Sequence, residues 1–144
     1  MEAFRKFVDV APGIAELTIM QWNVLADALA FDFPACNQDY LNWQHREALI
    51  TADITRYDAD IICLEEVDKY EQTFLPLLGN QGYIGMYQRK PGWHRDGTAV
   101  FIKSEKLGLR KYEVLKHEGN SQFAIIAWLT LKATQTDFVI GATH

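Results

Sequence analysis

Three polar residues of this 144-residue chain stand where apolar, strand-like runs give out: Asn23, Glu66 and His144. A carboxylate and an amide oxygen are hard ligands suited to Mg²⁺, which takes one or two carboxylates and keeps several waters. A histidine nearby can hydrogen-bond a phosphate oxygen or carry a proton. The ends of strands are also where α/β proteins place their chemistry. Each residue has a plainer alternative when taken singly: a turn asparagine, a solvated glutamate, a histidine with no role. One basic and aromatic stretch, Arg89-Lys90-Pro91-Gly92-Trp93-His94-Arg95, adds a candidate substrate-binding loop. Lys90 could reach a phosphate, Arg95 adds positive charge, and Trp93 could stack on a base for roughly 1–3 kcal/mol. A solvated charged loop is the alternative for all three.

The elements that must position these residues follow from periodicity. The residues up to about Gly13 read as an irregular lead-in with Pro12-Gly13 as a turn. Glu16 to Asn23 reads as a strand with bulk on both faces, so both are expected to be covered. Asp27 to Asn42 has mixed signals and is expected to be a long loop, packed down through its aromatics and Pro34. Trp43, Ile50, Ile54 and Tyr57 recur at helical spacing and predict a helix over 43–57. Ile61 to Leu64 reads as a short buried strand, and Asp68 as a cap for the next segment. Pro76 fits the first turn of a short helix ending at Gly79, with Leu77 and Leu78 inward. Gly82 to Tyr87 reads as a strand. Thr98–Lys103, Leu109–Leu115, Phe123–Leu131 and Asp137–Thr143 read as an antiparallel series, with Tyr112, Trp128 and Phe138 in the core. The fold class is therefore α/β (α+β), one domain from residue 16 to residue 144 after a lead-in over 1–15.

Composition bounds the partners. With 49% apolar and 23% charged residues the chain reads as a globular domain rather than a disordered one. No apolar run approaches the ~20 residues that span a bilayer, and the N-terminus lacks the apolar stretch of a secretory signal. The expectation is a cytoplasmic protein without membrane partners. Cys36 and Cys63 offer neither a disulfide framework nor zinc spacing, and Cys63, inside Ile61-Ile62-Cys63-Leu64, reads as a small buried apolar residue. A net charge of −5 argues against a broad basic surface for long nucleic acid. It leaves open a short substrate, basic contacts elsewhere, or no nucleic acid.

Ile19-Met20-Gln21-Trp22-Asn23-Val24-Leu25-Ala26 resembles the opening strand of the endonuclease/exonuclease/phosphatase superfamily, in the branch with nocturnin, angel and the mRNA deadenylases. Tyr57 to Tyr70, containing Cys63-Leu64-Glu65-Glu66-Val67-Asp68, is similar to that branch's second motif. Thr73-Phe74-Leu75-Pro76-Leu77-Leu78, Gly82-Tyr83, Asp96-Gly97-Thr98-Ala99-Val100-Phe101 and Ala142-Thr143-His144 continue the likeness in order. The resemblance implies a two-sheet α/β sandwich and hydrolysis of a phosphoester with Mg²⁺, Mn²⁺ being the alternative cofactor. It implies Glu66 as the metal ligand, Asn23 as its companion at the metal, and His144 at the scissile phosphate. Lys90 would lie at the border of the substrate pocket. The implied substrates are the 3′ end of RNA, as in a deadenylase, or a phosphorylated nucleotide or dinucleotide, as in a nocturnin-like phosphatase. Glu65 departs from the branch, which usually has Gln there. Neighbours on a strand face opposite ways, so Glu65 and Glu66 are not expected to enter the site together. The branch's Asp-x-Asn and Ser-Asp-His motifs do not occur in the 144 residues. The expectation is therefore the first half of the sandwich, inactive and self-associating alone, with the C-terminal half as its partner. The alternative is a non-catalytic fragment or pseudoenzyme that binds a nucleotide or a protein.

Overall fold

The computed structural model describes residues 17–144, and within them two sheets and a helical layer stack on one another. The expected lead-in over 1–15 and the Glu16 start of the first strand lie outside the described residues. The first sheet runs β1 (Ile19–Asn23), β2 (Ile61–Val67), β4 (Gly97–Lys103), β3 (Tyr83–Arg89). The second is a meander of β5 (Leu107–Lys116), β6 (Phe123–Leu131) and β7 (Thr136–Thr143). β1 and β2 are parallel, and a parallel pair needs a long crossover. Here it carries a 3₁₀ turn (Asp27–Asp32), the single turn α1 (Gln38–Leu41) and the helix α2 (Trp43–Tyr57).

The helix forms where its periodicity placed it. Asn42 accepts the Gln44 N–H with its side chain to start α2, and Asp58 ends it in the left-handed region at φ 48°. Aspartate tolerates that conformation better than most residues. Ile50 and Ile54 are buried, with Trp43 and Tyr57 packed beside them. A π turn (Tyr70–Phe74) leads into α3 (Leu75–Asn80), with Pro76 in the first turn, Leu78 buried and Leu77 half-buried. One core fills the space between these helices and the first sheet: Met20, Ile62, Leu64, Val67, Ala99 and Phe101 meet Ile50, Ile54, Phe74 and Leu78. A second core lies between the sheets, where Ile61, Met86, Val100 and Ile102 meet Leu107, Phe123, Ile125, Leu129 and Ala142. The mixed two-sheet α/β architecture expected from the sequence is the one observed.

Several local expectations give way. The 27–42 stretch is partly helical, and Phe31, Phe33 and Tyr40 are exposed, because only Ala30 of the 3₁₀ turn reaches the core. β1 is an edge strand covered on one face: Met20 is buried while Ile19 is 56% exposed. Asp68 does not cap the segment after it. It accepts the Ala28 N–H at 2.9 Å and so caps the 3₁₀ turn across the molecule. β4 leaves the expected antiparallel series for the first sheet, between β2 and β3, and all of its residues are buried. A strand buried on both faces reads as a continuous apolar run, whereas β6 alternates buried with half-buried residues. Tyr112 lies half-exposed, and Trp128 sits on the outer face of β6 beneath the Lys111 ammonium at 4.0 Å. Of the three aromatics expected in the core, Phe138 alone packs against it.

Candidate active site

Asn23 sits at the last position of β1, paired with Glu65 of the parallel β2. Its Oδ1 accepts the Leu25 N–H at 3.0 Å, which leaves its Nδ2 to donate to Glu66 Oε1 at 2.6 Å. Leu25 holds φ 55° to make that turn. The turn is gripped from outside by Arg46 of α2, whose guanidinium donates to Leu25 O (2.6 Å), Val24 O (3.2 Å) and Leu41 O (2.9 Å). By its place in the helix pattern Arg46 is one polar residue of the solvent side among others. Its positioning role follows from the three carbonyls it reaches.

Glu66 owes its direction to a bulge. Leu64 pairs with Ala99 and Val67 with Gly97, so three steps along β2 match two along β4. Glu66 takes the strain of the extra residue at φ 54°, a conformation that costs an ordinary residue roughly 1–2 kcal/mol. Leu64 and Val67 both point into the helix-side core. The two residues between them therefore both face the other way, on the side of Gln21 and Asn23. Glu65 accepts from Gln21 Nε2 at 2.6 Å, beside the Asn23–Glu66 pair. The expectation that strict alternation keeps Glu65 out fails at this bulge.

His144 arrives from the other sheet. Thr143 pairs with Ala124, and its hydroxyl donates to Phe123 O at 2.9 Å, which anchors the end of β7. The imidazole Nε2 lies 3.4 Å from Glu66 Oε1 and 3.3 Å from Asn23 Nδ2. Its Nδ1 lies 3.3 Å from Lys90 Nζ. Lys90 in turn pairs with Asp96 Oδ2 at 2.6 Å, and the Lys90 N–H donates to Asp96 O, which closes the loop at its base. Lys90 is 8% exposed and Asp96 2%, so the solvated-loop alternative for Lys90 is overturned. In the sequence Asp96 opens the motif Asp96-Gly97-Thr98-Ala99-Val100-Phe101, and no local pattern links it to Lys90. A buried lysine needs a counter-charge, and that requirement was the available signal.

The structure thus brings Asn23, Glu66, His144 and Lys90 into one chain of contacts ending at Asp96. Trp93 and Arg95 stand apart from it. Trp93 is fully exposed, and with Arg95, Phe31, Leu29 and Asp96 it borders a cleft of about 400 Å³ next to the network. Nearby, burial and the Asp96 charge push the Tyr87 hydroxyl up to about 12, and it donates to Val67 O at 2.9 Å.

The donor set fits a hard cation only in a mostly hydrated mode. Among the described residues no cluster of three or more His, Cys, Asp or Glu could hold a metal ion. Glu66 supplies one carboxylate, which suffices for Mg²⁺ when water and substrate oxygens complete the shell. Asn23 presents its NH₂ to Glu66 and keeps its oxygen on Leu25. Its NH₂ orients the carboxylate, while its oxygen keeps a second lone pair beyond the one that takes the Leu25 N–H.

Comparison with known proteins finds the same arrangement of elements elsewhere. Residues 20–139 match the model of the Endonuclease/Exonuclease/phosphatase family. Human Nocturnin is 34% identical over 161 residues, an alignment covering 97% of this chain and 37% of that protein. Nocturnin of Drosophila melanogaster is 34% identical over 148 residues, covering 90% of this chain and 22% of that protein. The chain therefore spans less than two fifths of the length of either relative. Among solved structures, the human Nocturnin catalytic domain with bound sulfate superposes with a TM-score of 0.78 at 33% identity, covering 89% of this chain and 49% of that one. ANGEL2, a 2′,3′-cyclic phosphatase in complex with adenosine-2′,3′-vanadate, gives 0.83 at 26% identity, covering 89% and 41%.

Proposed function

Because the chain belongs to the endonuclease/exonuclease/phosphatase family, we propose that its site serves divalent-metal-dependent hydrolysis of a phosphoester, on the 3′ end of an RNA or on a phosphorylated nucleotide or dinucleotide. The reading is for the protein at the length of its relatives, with the residues described here forming one wall of the site. A cytoplasmic place of action belongs to the proposal, in keeping with two cysteines that are both free. The observation that carries it is the convergence of Asn23, Glu66 and His144 from both sheets within hydrogen-bond reach of one another. The adenosine-2′,3′-vanadate held by ANGEL2 supports a ribonucleotide phosphoester as the substrate class.

In this reading Glu66 holds Mg²⁺ or Mn²⁺, which when bound polarises a phosphoryl oxygen and makes a water more acidic. Asn23 fixes the rotamer of Glu66 through the 2.6 Å contact. The imidazole of His144 donates to a phosphate oxygen and neutralises charge that develops there. The loop bearing Trp93 and Arg95 receives the base and sugar, since an exposed indole and a guanidinium beside a cleft are suited to stacking and to anions. Lys90 spends one N–H on Asp96 and directs another at His144, so in this reading it supports His144 and keeps a third N–H for a phosphate oxygen.

A second reading is a nucleotide-binding module without turnover, with the cleft bordered by Trp93 and Arg95 as its ligand site. One experiment separates the two. Release of phosphate or nucleotide from an oligoadenylate and from a 2′-phosphorylated dinucleotide is followed with Mg²⁺ or Mn²⁺, for wild type and Glu66→Gln at relatives' length. Glu66→Gln keeps the size and loses the charge, so turnover should fall by at least about a hundredfold, the scale of losing ~3 kcal/mol of transition-state stabilisation. Glu66→Gln activity within a few-fold of wild type at saturating metal would sink the assignment. Binding of both ligands without turnover by wild type would establish the second reading.

A further inference from the structure

Lys90 is buried against Asp96, and its ammonium faces a ring nitrogen of His144. An ammonium has three donors and no acceptor. One N–H of Lys90 goes to Asp96 Oδ2 at 2.6 Å, and another points at His144 Nδ1, 3.3 Å away. That nitrogen can only be the acceptor. A neutral imidazole carries one proton, so the proton sits on Nε2, the nitrogen 3.4 Å from Glu66 Oε1. Asn23 Nδ2, 3.3 Å from the same Nε2, then meets a second donor and turns its N–H to Glu66, where its 2.6 Å hydrogen bond already lies. The arrangement is self-consistent: two N–H groups, from Asn23 and His144, converge on the Glu66 carboxylate.

We propose that the buried Lys90–Asp96 pair is a positioning device that fixes His144 as the Nε2–H tautomer, so that its N–H points toward the carboxylate end of the site. Lys90 is thus a positioning residue, acting through His144. The pair suits that task because both side chains are buried and the backbone bond from Lys90 N–H to Asp96 O at 3.0 Å fixes the two ends of the loop. A rigid pair costs less reordering per event than a flexible surface lysine. The inference rests on the phosphate-facing reading of His144 only for its catalytic consequence, because the tautomer exists without turnover.

The test is ¹⁵N spectroscopy of the four histidine rings, at a pH well above the ordinary imidazole range, on the chain without added metal. The His144 signals are those lost in His144→Gln. In wild type the expected pattern is a protonated Nε2 and a bare Nδ1. Removing Lys90 alone would strand Asp96 as a buried charge, so the comparison is Lys90→Met/Asp96→Asn, which removes both charges together. In that variant the ratio of Nε2–H to Nδ1–H should fall by about tenfold or more, the factor carried by one charge-assisted hydrogen bond. Unchanged amide dispersion in the double variant keeps the readout specific to the ring. Nδ1–H in wild type, or the same tautomer ratio in the folded double variant, overturns the proposal. Failure of the hydrolysis assay with the expected tautomer intact would instead remove the proposed function and leave this device standing.

Discussion

At the scale of single residues, chemistry is set by which atom is already engaged. Asn23 acts on Glu66 as a donor because a carboxylate only accepts, and its oxygen meanwhile takes the Leu25 N–H. The two cysteines are separated by the same kind of reasoning. Burial pushes the Cys63 thiol up to about 11, and the Glu65 charge adds to the effect, while Cys36 is exposed. The thiolate is the reactive form, so alkylation at mildly alkaline pH should modify Cys36 and spare Cys63. Peptide mass mapping after limited iodoacetamide treatment reads this directly, and equal modification of both would contradict the packing around β2. Cys63 reads as a buried residue from the apolar run around it, and in the structure it is half-buried against the core between the sheets. The orientation of Asn23 was not legible in the sequence, because it depends on a backbone turn.

At the scale of elements, β3 and β4 carry the loop that holds Lys90 and Asp96. They approach so closely at Gly97 that a Cβ there would overlap Gln88 O and lie 2.8 Å from Arg89 Cα. Backbone cannot swing aside as a side chain can, so Gly97→Ala should separate the strands where the loop leaves them. The expected loss is about 1–3 kcal/mol, the usual cost of overpacking, read as a lower urea midpoint at unchanged slope. The same change should also loosen the Lys90–Asp96 pair one residue away. A midpoint equal to that of wild type would mean the strands tolerate the separation. The sequence marked the helix from about Trp43 to Tyr57 through its period, and α2 spans those residues. It could not mark the β2 bulge, which is defined by register against β4.

At the scale of the molecule, Asp60 ties distant segments together. It accepts the Thr18 N–H at 3.0 Å and the Thr18 hydroxyl at 3.1 Å, and it pairs with Lys106 at 2.9 Å. It thereby joins the approach to β1, the start of β2 and the turn before β5. Burial by itself raises its carboxyl, but the hydrogen bond from Lys106 and those from Thr18 together outweigh burial and hold it below the ordinary 3.8. A depressed folded value means stability that is fully present above the unfolded value. That stability starts to fall as the pH drops below about 3.8 and is gone once the pH passes below the folded value. Urea unfolding of wild type and Asp60→Asn across that window should show wild type ahead at neutral pH and the gap closing only below it. A gap independent of pH would show that Asp60 is not ionised in its partnership.

The sequence alone determined the apolar periodicities, the helix 43–57, the succession of strands along the chain and the candidate trio Asn23, Glu66 and His144, because these depend on local spacing and on motifs contiguous in the chain. Only the tertiary structure decided that Glu65 shares the face of Glu66, that Lys90 is buried against Asp96, and that β4 belongs to the first sheet. Each of these depends on a contact between segments that no local pattern encodes. A bulge needs its partner strand, a buried charge needs its counter-ion, and a strand shared by two cores takes its sheet from the neighbours on either side.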